Sequence, residues 1–455
     1  MKLYDKKKID WSNILFDNRA LLLLLAPIIV EQLLNSLMGT VDTMMVSTVG
    51  SEAISAVSLV DSINNLVIQV FSAMAAGAAI ICSQYIGSRD VKQSNKAAGQ
   101  VTLTVLVISL AIMILFLLGG ERLLGFIFGS VEEAVMENAL IYFTITVISY
   151  PFLALFSAGA AFYRASGNSK FPMKVSAFSN IINIGGNAVF IYVFHWGAAG
   201  AAIATLLSRI FCMLVIFYCL RKPKQTIVVR DYLKIRPDMP LIWKIMAIGI
   251  PSGIENGMFQ FGKLAIQSTV STMGTIAIAA QAMTNILENL NGIFGIGVGI
   301  GLMTVVGQCI GANRQEEAKY YIVKLTKTAW VGILASCLLV LAITKPVTWL
   351  GGMEQEAADM CFRMVAAITV VKPLVWVGSF VIAYGLRAAG DVKISMIVSI
   401  ITMWCCRVAL CIFLVRAFHF GPMAVWIGMF ADWSIRAVIF SARFLSGRWL
   451  HAGVT

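Results

Sequence analysis

Charge is scarce in this chain. Asp, Glu, Lys and Arg together make up 13% of 455 residues, and acids are the rarer sign, 23 against 35 basic side chains. Hydrophobic residues make up 59%, with a mean hydropathy of +0.84. A soluble domain so poor in charge would present an apolar, associating exterior, so the composition excludes that class. Only three histidines are present, and the nine cysteines lie mostly inside apolar segments with no C-x-x-C pair, which argues against a zinc centre or a disulfide framework. Long polar stretches are missing as well. The longest loop is 221–240, too short for a soluble signalling region. No H-E-x-x-H, Walker A or G-x-S-x-G pattern occurs, so nothing supports enzyme chemistry, and no cofactor is expected.

What is there is apolar and long. Hydrophobic segments of helix-spanning length, without the ten-residue alternation of a membrane barrel, predict an all-α polytopic membrane protein. Twelve spans fit: 20–47, 53–86, 98–119, 134–162, 171–194, 198–220, 241–270, 276–310, 322–343, 360–386, 394–416 and 421–442. The Lys-rich start followed by LLLLLAP mimics a signal peptide, but no small-residue cleavage site follows, so it reads as a retained first helix. Of the 35 basic residues, 24 lie in the N-terminus and the even-numbered loops with their flanks, and only three in the odd-numbered loops. The positive-inside rule then places both termini in the cytoplasm of a cell or inner membrane. The net charge of +12 thus reflects topology and the inner lipid leaflet, with no nucleic-acid partner implied.

The stretch PIIVEQLLNSLMGTVDTMMV, residues 27–46, breaks the apolar rule. On a helix, Glu31, Asn35, Met38 and Asp42 fall within about 60° of arc, forming one polar stripe. An acid at bilayer depth costs at least a few kcal/mol, so it normally faces a protein interior or a water cavity. Helical rise puts Asp42 roughly 31 Å beyond Leu21, near the outer margin of the hydrocarbon.

The chain is also written twice. A shift of 224 residues sets Pro27 on Pro251, Glu31 on Glu255, Gly77 on Gly301, Gln84 on Gln308, Ile86-Gly87 on Ile310-Gly311 and Phe194-His195 on Phe418-His419. A shift of 223 sets RASG at 164–167 on RAAG at 387–390. Such a register indicates internal duplication. Six spans per half make the halves parallel repeats, as in some secondary transporters. The expected organisation is a six-helix lobe over 1–220, a cytoplasmic linker over 221–240 and a second six-helix lobe over 241–455 in a monomer, the lobes rocking on the linker.

These residues carry a resemblance. The Pro-x3-Glu of the first helix, VDTMMVSTVG, the QYIG and QCIG ends of spans 2 and 8, the RASGN and RAAGD turns, and GAAGAAIAT in span 6 together resemble the multidrug and toxic compound extrusion (MATE) family over essentially the whole chain. The resemblance implies two V-shaped lobes of six helices and efflux of small organic, often cationic, compounds in exchange for H⁺ or Na⁺. Asp42 matches the family's acid in VDT. A family NIxxD pattern in span 5 reads here Asn183-Ile184-Gly185-Gly186-Asn187, so Asn187 stands as an amide where the acid is expected. Tyr142 and Thr205 fall where hydroxyl partners are expected. Asp42, Asn183, Asn187, Tyr142 and Thr205 therefore form the expected coupling-cation site, for a proton or Na⁺. The competing reading of Asp42 is a buried carboxylate that ties helices together, and for the other four it is ordinary interhelical hydrogen bonding.

The second lobe departs from the family pattern. Phe259, with Gln260 beside it, occupies the place of a Glu common in Na⁺-type members, and the span-10 Asp lacks a counterpart in VWVGSFV. Lys263, Glu288, Arg407, Asp432 and Arg436 read as a fixed ion-pair network, with a substrate or cation role as the alternative. Glu31, Asn35, Asn64 and Glu255 are further cavity candidates, the two glutamates also as anchors of a bent helix. Asp61 with Asn285, and Asn64 with Glu288, align between spans 2 and 8 on faces expected to line the cavity. Coupling is expected to be asymmetric, with the ion in the first lobe. A flippase for a lipid-linked precursor and a non-transporting sensor or scaffold are the alternatives. The former calls for a strongly cationic cavity, whereas the first lobe has one mid-span base, Arg209.

Overall fold

Asp17 accepts a hydrogen bond from the Ala20 amide at 2.6 Å and so caps the first long helix, α1 (Asn18–Ser47). The computed structural model describes residues 3–129 and 132–451. The first two residues of the basic N-terminus and the last four of the tail lie outside this range. Among the described residues there are helices and no strands. After α1 come α2 (Ser51–Gly87), α3 (Val91–Phe128), α4 (Glu133–Ile148), α5 (Tyr150–Ala165), α6 (Lys170–Asn187) and α7 (Gly197–Leu220). The second half holds α8 (Met239–Ser271), α9 (Thr275–Gly311), α10 (Gln315–Leu350), α11 (Gln355–Ala388), α12 (Val392–Thr402), α13 (Leu410–Phe418) and α14 (Met423–Ser446). Two wide π-helical stretches, Ala188–Val193 and Met403–Ala409, continue α6 and join α12 to α13. Helices α4 and α5 form one rod bent by 42°, where Pro151 removes a backbone donor. The result is twelve rods, six per half.

Nine rods among the described residues are long and apolar enough to cross a membrane, and the bent α4–α5 pair makes a tenth. The other two, α6 and α8, are diluted by polar groups: Asn180, Asn183 and Asn187 on α6, Glu255 and Lys263 on α8. Between them these two helices carry the candidates Asn183, Asn187, Glu255, Phe259, Gln260 and Lys263.

The duplication is visible in the backbone. Helices α2 and α9 begin and end at residues 224 apart, 51–87 and 275–311. The turns between rods use left-handed residues at the same spacing: Arg89 and Asn313, His195 and His419, Gly50 and Gly274. Gly167 and Gly390 do so at 223. Positive φ is uncommon outside glycine, so its recurrence at matching positions marks shared turn geometry.

Contacts divide the chain into two compact units, Val30–Gly253 (the N unit) and Met1–Ile29 with Ile254–Thr455 (the C unit). This differs from an even cut at the linker. The unit boundaries fall two residues past Pro27 and Pro251, inside α1 and α8. Before its proline, α1 packs against α9 of the C unit, where Leu25 occupies the space a side chain at Gly301 would need. The corresponding part of α8 packs on α2 of the N unit, with the Gly249 backbone against Gly77. Small residues at both crossings permit this approach. The linker itself folds onto the N unit. Gln100 donates to the Arg236 carbonyl at 2.7 Å and accepts from the Asp238 amide at 3.0 Å, and Lys96 pairs with Asp238.

Candidate functional site

Helices α1, α6 and α7 of the N unit bring four polar side chains together at the end of the stripe. Asn187 donates to the Asp42 carboxylate at 2.7 Å and to Asn183 Oδ1 at 3.2 Å, and Asn183 donates to Thr205 Oγ1 at 3.2 Å. Asn183 and Asn187 lie one helical turn apart, so one face of α6 presents both amides. Both are buried, and Asp42 and Thr205 are half-buried. The π-helical stretch begins directly after Asn187, and such local widening is frequent at functional positions. Asn187 Oδ1 is buried with no hydrogen-bond partner among the described residues. A buried acceptor without a donor is unfavourable by about 1–3 kcal/mol, and a cation or a protonated group placed there would satisfy it. Among the described residues no three His, Cys, Asp or Glu side chains gather as a metal chelate. A Na⁺ ion would therefore rest on one carboxylate and amide or hydroxyl oxygens.

Tyr142 belongs to a neighbouring cluster. Its hydroxyl donates to Asp61 Oδ1 at 3.2 Å, not to Asp42. Asn64 also donates to Asp61, at 3.1 Å, and accepts from the Tyr150 hydroxyl at 2.7 Å. The N unit thus has a second acid, Asp61, where α6 offers an amide. Sequence reasoning noted Asp61 as an aligned polar position but did not join it to Tyr142. Arg209 is near enough for its charge to act on both acids, yet its hydrogen bond goes to Ser149 Oγ at 2.6 Å. Neither Asp42 nor Asp61 has an ion-pair partner among the described residues.

Lower on the stripe, Glu31 faces protein. Arg164, at the end of α5 in RASG, grips both of its carboxylate oxygens at 2.8 Å. Glu255 makes the equivalent pair with Arg387 of RAAG at 2.5 Å. Asn35 is exposed and accepts from Ser176 at 3.1 Å. The two glutamates therefore sit in repeated clamps, and neither arginine was named as a partner from sequence, although each repeats in step with its glutamate.

In the C unit every buried acid has a cation. Asp432, fully buried on α14, receives Arg436 at 2.6 Å and Arg407 at 3.0 Å, and Arg436 also donates to Thr402 and the Ser399 carbonyl. Glu288 pairs with Lys372 of α11 at 2.5 Å, and Lys372 reaches Asn291 as well. The expected set had Lys263 in this network and lacked Lys372. Instead Lys263 is exposed, its ammonium 5.1 Å from the centre of the Phe259 ring. The Arg407 guanidinium lies 4.8 Å from the same ring, and Gln260 is half-buried next to it in the chain.

Comparison with known proteins places this geometry. The family model described as MatE matches residues 27–189 and again 251–413, the second match displaced by 224 residues. The uncharacterised transporter YisQ of Bacillus subtilis (strain 168) is 25% identical over 442 residues, covering 94% of each chain. A probable multidrug resistance protein NorM of Thermotoga maritima is 24% identical, over 95% of this chain and 93% of that one. Among solved structures, the outward-facing conformation of a multidrug resistance MATE family transporter of the MOP superfamily matches with a TM-score of 0.88 at 19% identity. The match covers 94% of this chain and 96% of that one.

Proposed function

The chain belongs to the MatE family, and from that premise we propose that it is a cation-coupled antiporter that exports amphiphilic organic compounds across a cell membrane. Both termini would be cytoplasmic, following the basic-residue distribution, and Asp42 would carry the coupling proton or Na⁺. The observation that carries this reading is the contrast between the units. Buried acids of the C unit are neutralised by Arg or Lys, whereas Asp42 and Asp61 of the N unit have only neutral hydrogen-bond donors. A carboxylate held by amides and hydroxyls can exchange a cation with little rearrangement. One locked to an arginine cannot.

Thr205, Asn183 and Asn187 form the relay that fixes Asp42, and the open acceptor on Asn187 suits the incoming ion. Coupling would use the two units asymmetrically, with ion exchange in the N unit and substrate contacts shared. Uptake of a fluorescent cationic amphiphile and an anionic counterpart into proteoliposomes, under separately imposed proton and sodium gradients, tests the reading. Movement driven by one gradient supports it, and indifference of both probes to both gradients overturns it.

A further inference from the structure

The C unit carries more positive charge at membrane depth than its acids can neutralise. Lys263, Lys372, Arg407 and Arg436 face Glu288 and Asp432, four cations against two carboxylates. Lys372 takes Glu288, and the two arginines share Asp432. Among the described residues Lys263 makes no ion pair, feeling the Glu288 charge only through space, and the Nε of Arg407, a residue only 2% exposed, is buried with no hydrogen-bond partner. Unpaired charge at this depth is costly and marks a site by default.

The position of Lys263 adds to this. Helix side chains lean toward the N-terminus, which sets its ammonium one turn back, over Phe259, on the ring that also carries Arg407 from another helix. Two cations about 5 Å from one ring centre repel each other, and each gains only on the order of 0.5–2 kcal/mol from the ring. An anion between or beside them would relieve the repulsion and supply the missing acceptor.

We infer that Phe259, Lys263 and Arg407 form a recognition site for an acidic group, so that the compounds handled are amphiphiles bearing a carboxylate, sulfonate or phosphate beside an apolar body. The apolar body would lie on Phe259, and the exposed Lys263 would make first contact with the acid. This inference rests on the reading of the chain as an exporter and names its substrate class.

The test uses the full-length protein in phosphatidylcholine nanodiscs, with binding of 1-anilinonaphthalene-8-sulfonate read by energy transfer from tryptophan and ethidium as the cationic control. Wild type should bind the sulfonate saturably. Lys263→Gln should weaken that binding at least tenfold, Lys263→Arg should stay within about threefold of wild type, and ethidium should respond to neither. Lys263 is exposed, so these variants are expected to fold, and a single symmetric peak on gel filtration verifies it. Absence of saturable sulfonate binding, or equal weakening of both probes, overturns the inference. Adding phosphatidylglycerol separates two sources of the acid. Competition that depends on Lys263 assigns the site to a lipid-borne phosphate, and no competition assigns it to a soluble amphiphile, the anion site standing in both. Sulfonate binding without gradient-driven movement of either probe would remove the exporter reading alone. Gradient-driven ethidium movement with no sulfonate binding would remove the inference alone.

Discussion

Replacing Arg164 by Met leaves Glu31 as a carboxylate with 2% exposure and no cation. Removing one partner of a buried pair costs about 3–5 kcal/mol, because the other charge remains desolvated. The Arg164 side chain is 16% exposed, so some water already reaches the pair and about 3 kcal/mol is expected. The reverse change, Glu31→Gln, leaves a guanidinium that can turn toward water and an amide that can still accept a bond, and should cost about 1 kcal/mol. Taking each half as a cooperative unit of about 200 residues, Arg164→Met should lower the melting temperature by roughly 6–12 °C and Glu31→Gln by roughly 2–4 °C. The double variant should recover most of the loss, since no buried charge remains. Arg387→Met and Glu255→Gln should follow the same order, because Glu255 is likewise a buried acid held by one arginine 223–224 residues on, here through a single carboxylate oxygen while the Arg387 Nε donates to Ser395. Thermal melting of the detergent-purified protein measures all five. Equal small losses for Arg164→Met and Glu31→Gln, or strict additivity in the double variant, would refute the clamp argument.

Other predictions address packing, the N-terminal segment and acid stability. A Cβ at Gly428 would stand 2.8 Å from the Arg407 carbonyl oxygen, a backbone atom of the π-helical stretch. Gly428→Ala should therefore cost about 1–3 kcal/mol in thermal stability, and a variant as stable as wild type would show that the stretch yields easily. The Tyr321 hydroxyl accepts from the Phe16 amide at 2.9 Å and donates to its carbonyl at 2.7 Å. Tyr321→Phe should speed amide exchange at residues 14–17 at least tenfold, and unchanged exchange would contradict this anchoring. Outside the membrane, the hydrogen bond from Lys96 holds the Asp238 carboxyl below its ordinary value. A depressed folded pKa gives stability that is present above the unfolded value, about 4, and lost as pH falls through the folded one. Asp238→Asn should accordingly flatten the fall in melting temperature below about pH 4, and an unchanged acid limb would remove Asp238 from the account.

Much of the fold was legible because its causes are local or periodic. Apolar length gave the rods, and the constant 224-residue register gave their pairing, down to the left-handed turns at His195 and His419. The exchange of the pre-proline segments was not legible. Pro27 and Pro251 announce a break, but which partner each segment packs against depends on contacts far along the chain, such as Leu25 over Gly301.

The site divides in the same way. Asp42 and Asn187 could be joined because the stripe and the i, i+4 amides each define a helical face. Arg164 and Arg387 were readable in principle, since both members of each clamp repeat. Lys372 has no copy in the first half: the same shift sets it on Ile148 or Ser149, so the duplication offered no pointer to its pairing with Glu288. Lys263 looked like that partner only because charge, without geometry, does not say which way a long side chain turns.

The central claim is that the coupling ion is exchanged at Asp42 in the N unit, while the C-unit pairs are fixed. Counterflow in proteoliposomes under an imposed proton or sodium gradient, compared for wild type, Asp42→Asn and the charge-neutral pair Glu288→Gln with Lys372→Met, tests it most directly. Asp42→Asn should lose gradient-driven transport by at least tenfold at normal folded yield, and the paired C-unit variant should keep most of it. Wild-type rates in Asp42→Asn, with coupling lost only in the C-unit variant, would contradict the account.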